Sequence, residues 1–370
     1  MLSKGRFPDA QNHMPLSPQV PNYSQCTAKY GKVFLVSQIL SILIACTSTS
    51  ATLLSVSPVY APAFLSSTTY LLLFLIYGVI VPAYERRWAI GQECSNPETS
   101  SSGWWRYLML GFLDVEANYL VVVAFRMTSM TSVALLDQVS IPVVFLMTRI
   151  LGLASYKSGH YWGVALCVVG LTILVSSDAS NDSARVETNS LLGDGLVILG
   201  ASLYGLANTL QELILVDVEW KHVLGRLGMW GFVISVVQGC TLELDKITSA
   251  AWTWPLFLYA VGFSVAMFAF YSLIPFVLDS GGATFLNISL LTSDLYVLLA
   301  RLVIFGILGK DVVVFLASFA LVAAGIVLYS MTGYAKISGQ EDEVHGSLPY
   351  RQIQTGRRSL DTEIEISMTP

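Results

Sequence analysis

The chain has 370 residues and a formal net charge of −5, with 54% hydrophobic and only 12% charged residues. Soluble domains carry about 25% charged residues, so this composition excludes a soluble enzyme, a nucleic-acid-binding protein and a secreted disulfide scaffold. Residues 33–84 and 247–278 contain no charged side chain at all. The composition therefore predicts an all-α protein that crosses the membrane several times.

Ten segments are long and apolar enough to cross the membrane, because a helix needs about 20 apolar residues to do so. In chain order these ten spans are 32–54, 61–83, 105–125, 129–151, 158–177, 191–213, 222–243, 253–276, 283–306 and 311–331. They predict a cytoplasmic tail (1–31), a first five-helix repeat (32–177), a non-cytoplasmic loop (178–190), a second five-helix repeat (191–331) and a disordered cytoplasmic tail (332–370).

Basic residues set the orientation, because loops that stay in the cytoplasm are enriched in Lys and Arg. With a cytoplasmic N-terminus, fifteen basic residues lie on the cytoplasmic side: Lys4, Arg6, Lys29, Lys32, Arg86, Arg87, Arg106, Arg149, Lys157, Lys221, Arg226, Lys336, Arg351, Arg357 and Arg358. Four lie on the opposite side: Arg126, Arg185, Lys246 and Lys310. Both termini are therefore predicted to be cytoplasmic, with the plasma membrane and the Golgi or another endomembrane as alternative locations.

Two matches at one offset indicate an internal repeat. A shift of 155 residues places Leu135-Leu136 on Leu290-Leu291, and it places Ala165-Leu166-x-x-x-Gly170 on Ala320-Leu321-x-x-x-Gly325. Each repeat contains five spans, and because five is odd, the second repeat must insert upside down relative to the first. Inverted repeats are typical of secondary transporters, whose solute sites lie near the bilayer midplane between the halves.

Five ionisable residues lie well inside these spans: Asp114, Glu116, Asp137, Asp294 and Arg301. A charge at this depth costs at least about 2.5–3.5 kcal/mol on insertion scales. Such residues either line a solute pathway or act as buried structural groups that hydrogen-bond neighbouring helices. Both interpretations stay open for each of them.

The third span provides a first group of candidates. Asp114 and Asn118 are four residues apart and share one helix face, whereas Glu116 lies about 200° round the helix from Asp114. Asp114 and Asn118 are predicted to contact the solute. If transport is coupled to protons, Asp114 and Glu116 are the candidate proton carriers, and Asp114 is favoured because Asn118 shares its face.

The sixth and ninth spans provide the other candidates. Tyr204, Asn208 and Gln211 lie at i, i+4 and i+7, which forms one face suited to hydrogen bonding and to stacking on a ring. Asn287, Asp294 and Arg301 recur every seven residues and form a stripe about 21 Å long. Both faces are predicted to bind the solute; the alternatives are interhelical hydrogen bonding by Asn and Gln, and pairing or snorkelling of Arg301.

Motifs for cofactors are missing from the sequence. The five cysteines and four histidines show no metal-ligand spacing, and there is no GxxxxGK phosphate-binding loop. We therefore predict no metal, no cofactor and no ATP-driven step. Any uphill transport then requires a gradient, through exchange of two solutes or through protons.

Three stretches resemble the F-type subfamily of solute carrier family 35, in the drug/metabolite transporter superfamily. They are 114–120 (Asp-Val-Glu-Ala-Asn-Tyr-Leu), 200–205 (Gly-Ala-Ser-Leu-Tyr-Gly) with Asn208 and Gln211-Glu212, and 287–296 (Asn-Ile-Ser-Leu-Leu-Thr-Ser-Asp-Leu-Tyr). The resemblance covers roughly residues 30–335. It implies ten helices in two inverted repeats and alternating-access transport of small polar organic solutes, such as nucleotide sugars in the wider family.

The leading hypothesis is a secondary-active transporter whose partners are a small-molecule solute and the lipid bilayer, with no nucleic acid. The sequence does not select among nucleotide-like, nucleobase-like and sugar-nucleotide-like solutes, and it predicts no oligomeric state. A non-transporting receptor or scaffold is the first alternative. A membrane-embedded enzyme is the second, although no His-rich, metal-binding or Ser-His pattern supports it.

Overall fold

The structure is a computed structural model that describes residues 23–57, 60–88, 103–151, 156–182, 190–215, 218–248, 253–305 and 311–332. Its regular elements in these ranges are all helical, as the composition predicts. The α-helices are α1 (Tyr23–Ser55), α2 (Pro62–Leu73), α3 (Val81–Trp88), α4 (Trp104–Ala124), α5 (Met130–Leu136), α6 (Ser140–Ile150), α7 (Ser158–Asp182), α8 (Ser190–Leu215), α9 (Trp220–Leu242), α10 (Leu244–Thr248), α11 (Trp254–Phe305) and α12 (Asp311–Met331).

Nine helical segments within the described ranges are long and apolar enough to cross a membrane. They are Leu35–Ser55, Pro62–Glu85, Trp104–Ala124, Met130–Ile150, Ser158–Ser176, Ser190–Leu215, Trp220–Leu242, Trp254–Val277 and Val312–Tyr329. These segments match the first to eighth and the tenth predicted spans. The ninth predicted span, 283–306, overlaps the second part of α11, which ends at Phe305.

The sequence predicts two separate helices where α11 runs without interruption from Trp254 to Phe305. At 1.5 Å per residue its 52 residues give a path of about 78 Å, more than twice the hydrocarbon thickness of about 30 Å. Pro275 lies inside this helix. It removes one backbone donor, and Gly281 and Gly282 each cost only about 1 kcal/mol in helix propensity. Neither signal is strong enough to end the helix.

Two spans change their helical pattern just before a proline. The second span passes from α2 through a π-helix, Phe74–Ile80, into α3, which contains Pro82. The fourth span passes from α5 through a 3-10 turn, Asp137–Val139, into α6, which contains Pro142. A proline lacks the amide that would bond the carbonyl four residues earlier, and its ring clashes with that carbonyl. The irregular turn in the fourth span places Asp137 at a break in the helix.

The second span packs against α9 through three glycines of α9. A Cβ on Gly231 would lie 2.5 Å from the Tyr70 ring, one on Gly228 would lie 2.4 Å from the Phe74 amide nitrogen, and one on Gly225 would lie 2.7 Å from the Tyr77 carbonyl oxygen. Numbers rise along one helix as they fall along the other, so the two helices are antiparallel. Glycine permits this close approach because it has no side chain.

The fifth and tenth spans, α7 and α12, form a second antiparallel pair. A Cβ on Gly163 would lie 2.6 Å from the Gly325 carbonyl oxygen, and one on Gly325 would lie 2.5 Å from the Gly163 carbonyl oxygen. About two turns along, Gly170 meets the carbonyl of Ser318. The two backbones are therefore in direct contact where they cross.

The N-terminus of α2 is capped by a residue from a distant part of the chain. Glu243, at the end of α9, accepts hydrogen bonds from the amides of Ala63 and Phe64, both at 3.1 Å. These amides have no partner within the helix, and a carboxylate is favourable at the positive end of the helix dipole. Burial raises the pKa of Glu243 above its ordinary value, against the opposing effect of the two amides.

Glu243 should make the stability of the protein depend on pH. Because its pKa is raised, the folded protein binds a proton there more readily than the unfolded chain. The free energy of unfolding should therefore fall as pH rises from the ordinary glutamate pKa through the raised one. Thermal melting at several pH values should show this fall in wild type and a flatter profile in Glu243→Gln. An unchanged profile would contradict the assignment.

Buried apolar side chains form two main clusters that position the site. One contains Val122 and Ala124 of α4 and Val197 of α8, and the other contains Leu110 and Val115 of α4 and Ala207 of α8. Asp114, Asn118 and Tyr204 lie close to the boundary between these clusters along the same two helices. These three polar residues therefore lie at one level of the bundle, between the two apolar clusters.

Candidate functional site

Asp114 lies at the centre of a hydrogen-bonded group from three spans. Its Oδ2 accepts from the hydroxyl of Tyr70 and from the hydroxyl of Tyr271, each at 2.7 Å. All three side chains are buried. The carboxyl group thereby ties the second span and α11 to α4, and two donors satisfy one of its oxygens.

A second acidic group, Asp137 and Asp294, lies near Tyr204. This tyrosine is within electrostatic range of both Asp114 and Asp137, and Asp137 is in turn within range of Asp294. Gln138 donates to Asp294 Oδ2 at 3.3 Å, and Ser293 donates to Asp294 Oδ1 at 3.4 Å. We call the resulting layer the polar belt; its members are Tyr70, Asp114, Asp137, Gln138, Tyr204, Tyr271 and Asp294.

Several buried polar atoms in and beside the belt have no hydrogen-bond partner. They are Asp137 Oδ1 in the belt, Asn118 Nδ2 one turn from Asp114, and Gln38 Nε2 on α1. The other ends of the two amides are engaged: Asn118 Oδ1 accepts from Ser66, and Gln38 Oε1 accepts from Tyr296. Leaving such a group unpaired costs about 1–3 kcal/mol, which a solute with matching donors and acceptors would recover.

The structure places some of the predicted site residues in the polar belt and others outside it. Within the belt lie Asp114, Tyr204 and Asp294, and Asn118 lies beside it. Glu116 points to α9 instead, where Gln238 donates to both carboxylate oxygens at 3.3 Å. The predicted difference in direction between Asp114 and Glu116 is therefore present in the structure.

Three of the remaining predicted residues lie away from the belt: Arg301, Asn208 and Gln211. Arg301 donates to Thr131 Oγ1 at 2.6 Å, on the fourth span. Asn208 is exposed and Gln211 is partly exposed, one and two turns from Tyr204. The side chain of Asn287 lies outside the described part of the chain.

The sequence patterns do not predict Tyr70, Tyr271, Gln138 and Gln38 as site residues. They identify Asp137 only as an intramembrane acid. Tyr70 and Tyr271 are common residue types in apolar spans, so their pairing with Asp114 leaves no local pattern in the sequence. Asp137 offered one signal, because an acid five residues before Pro142 falls where the helix is interrupted. Among the described residues, no group of three or more His, Cys, Asp or Glu side chains is arranged to hold a metal.

A family model described as Solute carrier family 35 matches residues 26–331 of the chain, which include the whole of the polar belt. The chain belongs to Solute carrier family 35. It is 35% identical over 319 residues to Solute carrier family 35 member F2 of Mus musculus, covering 85% of this chain and 82% of the mouse protein. It is 32% identical to the Xenopus tropicalis protein of the same name, covering 80% of this chain and 75% of the relative.

A Solute carrier family 35 member of Schizosaccharomyces pombe is 33% identical, with 82% of this chain and 59% of the yeast protein covered, so the yeast protein is considerably longer than the matched region. The fold also resembles a solved crystal structure with a TM-score of 0.53 at 13% identity, covering 82% of this chain and 96% of that one. The resemblance to the F-type subfamily is thus confirmed. Family membership and the apolar helices indicate a multi-pass membrane protein of a solute transporter family.

Proposed function

We propose that this protein is a secondary-active transporter that moves a small polar organic solute by alternating access, with the polar belt as its binding site. The observation that carries the proposal is the unpaired polar atoms, Asp137 Oδ1, Asn118 Nδ2 and Gln38 Nε2, buried around an otherwise well-connected layer. A receptor or scaffold has no need of such atoms, whereas a solute site that empties in every cycle does. Membership of a solute carrier family favours a transporter over an enzyme.

The helix packing supports two inverted repeats. With the 155-residue offset, the second and seventh spans correspond, as do the fifth and tenth. Both pairs pack antiparallel, as described for α9 and α12 above. The first span packs on α11, and the sixth span packs on α4 and α6. Because α4 and α6 belong to the third and fourth spans, which correspond to the eighth and ninth spans of α11, each half makes the equivalent contact with the other. Corresponding helices related by a two-fold axis in the membrane plane would pack in this way.

The exposure of α8 supports an opening on the predicted cytoplasmic side. Asn208 lies nine residues after Leu199, which places the two side chains about 180° apart on the helix. Leu199 is 52% exposed, as expected for a side chain that faces lipid. Asn208 is also exposed. Its face of α8 is therefore open on the side opposite the lipid-facing Leu199, which is the face that also carries Tyr204.

Contacts between the halves close the opposite side. Arg301 donates to Thr131, and Thr128 donates to Asp194 at 2.7 Å. Each bond joins the loop or helix at the start of the fourth span to a helix of the second half. In an alternating-access cycle these contacts would break when the site opens to the non-cytoplasmic side.

Transport by purified protein in liposomes tests the proposed function. Adenine, uridine monophosphate and UDP-glucose represent the nucleobase-like, nucleotide-like and sugar-nucleotide-like classes, and each is measured as uptake and as counterflow against the same unlabelled compound. We expect saturable counterflow of at least one compound, with protein-free liposomes as the control. A folded protein that moves none of them across a wider screen of polar solutes would favour a receptor or scaffold.

The predicted orientation gives a separate test. Ser180 lies near the end of α7, on the side that the distribution of Lys and Arg places outside the cytoplasm. Ser180→Cys should react with a membrane-impermeant thiol reagent in intact cells or in sealed vesicles with the lumenal face outward, above the signal of wild type treated in parallel. Labelling that requires opening the cytoplasmic face would reverse the topology.

A further inference from the structure

Asp137 and Asp294 are two acids that lie near each other among the membrane-spanning helices. They come from opposite halves of the chain, and Gln138, the residue next to Asp137, donates to Asp294 Oδ2 at 3.3 Å, which brings the two acids near each other. Asp294 is 1% exposed and accepts from Gln138 and Ser293. Asp137 Oδ1 is buried without a partner. Asp294 is therefore hydrogen-bonded by neutral donors, whereas one carboxyl oxygen of Asp137 lacks a hydrogen bond.

The charged and titratable groups around the pair do not neutralise it. From α8, Tyr204 faces Asp137 and also faces Asp114. From α11, Asp294 faces it, whereas Arg301 lies further along and donates to Thr131, six residues before Asp137. Asp194 of α8 accepts from Thr128, which is nine residues before Asp137 along the chain. Among the described residues, no Lys, Arg or His hydrogen-bonds either acid of the pair.

Two carboxylates buried within range of each other repel, and the repulsion is removed when one of them holds a proton. The protonated acid then also carries an O–H group that can donate a hydrogen bond. Asp114 differs because two tyrosine hydroxyls already donate to its Oδ2. Hydrogen bonds of this kind favour the charged form of a carboxyl group.

We propose that Asp137 and Asp294 together hold one proton and form the coupling site of the transporter, between the two halves. The proposal rests on the proposed transport function. With this proton in place the pair carries a single negative charge, and its release leaves two like charges that a cationic or donor group of the solute must compensate. Proton release and solute binding thereby become alternatives at one place, as coupled transport requires.

Infrared spectroscopy of the purified, solute-free protein tests the site without requiring transport. At neutral pH we expect a protonated-carboxyl band equivalent to one acid per chain. Asp137→Asn and Asp294→Asn should each lose this band, so either variant can report if the other fails to fold. Asp114→Asn, and Asp245→Asn in exposed α10 as the matched control, should retain it.

Absence of the band from wild type, or its persistence in a folded Asp137→Asn variant, would overturn the proposal. Loss of the band only in Asp114→Asn or in Glu116→Gln would assign the proton to that acid and would likewise overturn it. In liposomes loaded with a pH-sensitive dye, transport of adenine, uridine monophosphate or UDP-glucose should be accompanied by proton movement only with wild type and Asp245→Asn. A band without transport of any solute would reject the proposed function while retaining the proton site.

Discussion

Replacing Gly228 by alanine is expected to keep most of the protein from reaching its folded state. The new Cβ would lie 2.4 Å from the backbone nitrogen of Phe74 and 2.9 Å from the carbonyl carbon of Leu73. Backbone atoms cannot rotate away as a flexible side chain can, so α9 and the second span would have to separate. Overpacking of this kind costs about 1–3 kcal/mol or more, and separation of the helices would also undo the contacts at Gly225 and Gly231.

Gly239 provides the matched control on the same helix. Its Cβ would meet Ala63 Cβ at 3.8 Å and the Phe64 amide nitrogen at 3.9 Å, which are ordinary contact distances. Gly239→Ala should therefore be neutral or slightly stabilising, because alanine is favoured over glycine in a helix by about 1 kcal/mol. Size-exclusion profiles and melting temperatures of the two variants make the comparison. Equal behaviour would show that the two helices are not packed as described.

Asp294→Asn is expected to reduce transport roughly 10–100-fold, the effect of removing a buried charged hydrogen-bonding group worth about 1.5–3 kcal/mol. Asparagine has nearly the same shape, so the contacts with Gln138 and Ser293 can be rearranged without a cavity. The variant should therefore reach its membrane in normal amounts. The measurement is uptake normalised to the amount of protein in the membrane, with Asp245→Asn as a control for the loss of one acidic charge.

If well-expressed Asp294→Asn transports the solute at the same rate as the wild-type protein, this acid has only a structural role. Loss of the protein from the membrane would be a different result, and it is distinguished by the size-exclusion profile. In that event Ser293→Ala, which removes one hydrogen bond to Asp294, gives a milder test of the same position.

Much of the fold could be predicted because membrane spans are encoded locally. A run of about 20 apolar residues is sufficient, and nine of the ten predicted spans correspond to separate candidate spans in the described chain. The continuous α11 could not be predicted from this rule, since Gly281, Gly282 and Pro275 are equally typical of a loop and of a long membrane helix with neighbours to support it.

The candidate site could be predicted only in part, for a reason that concerns distance along the chain. The positions of Asp114 and Asn118 on one face follow from helix geometry. The partners of Asp114 do not, because Tyr271 lies 157 residues away and becomes a partner only through packing. The direction of Arg301 toward Thr131 is a similar case, with 170 residues between them.

The crossing of α7 and α12 has a consequence for how the protein is made. Gly163 and Gly170 are covered by a helix that begins at Asp311, 129 residues after α7 ends at Asp182. At about 5–20 residues per second of synthesis, the small-residue face of α7 is in the bilayer for roughly 6–26 s before its partner emerges. During that time lipid or the insertion machinery must cover it. The packing of α7 is thus completed only by a helix that is synthesised much later.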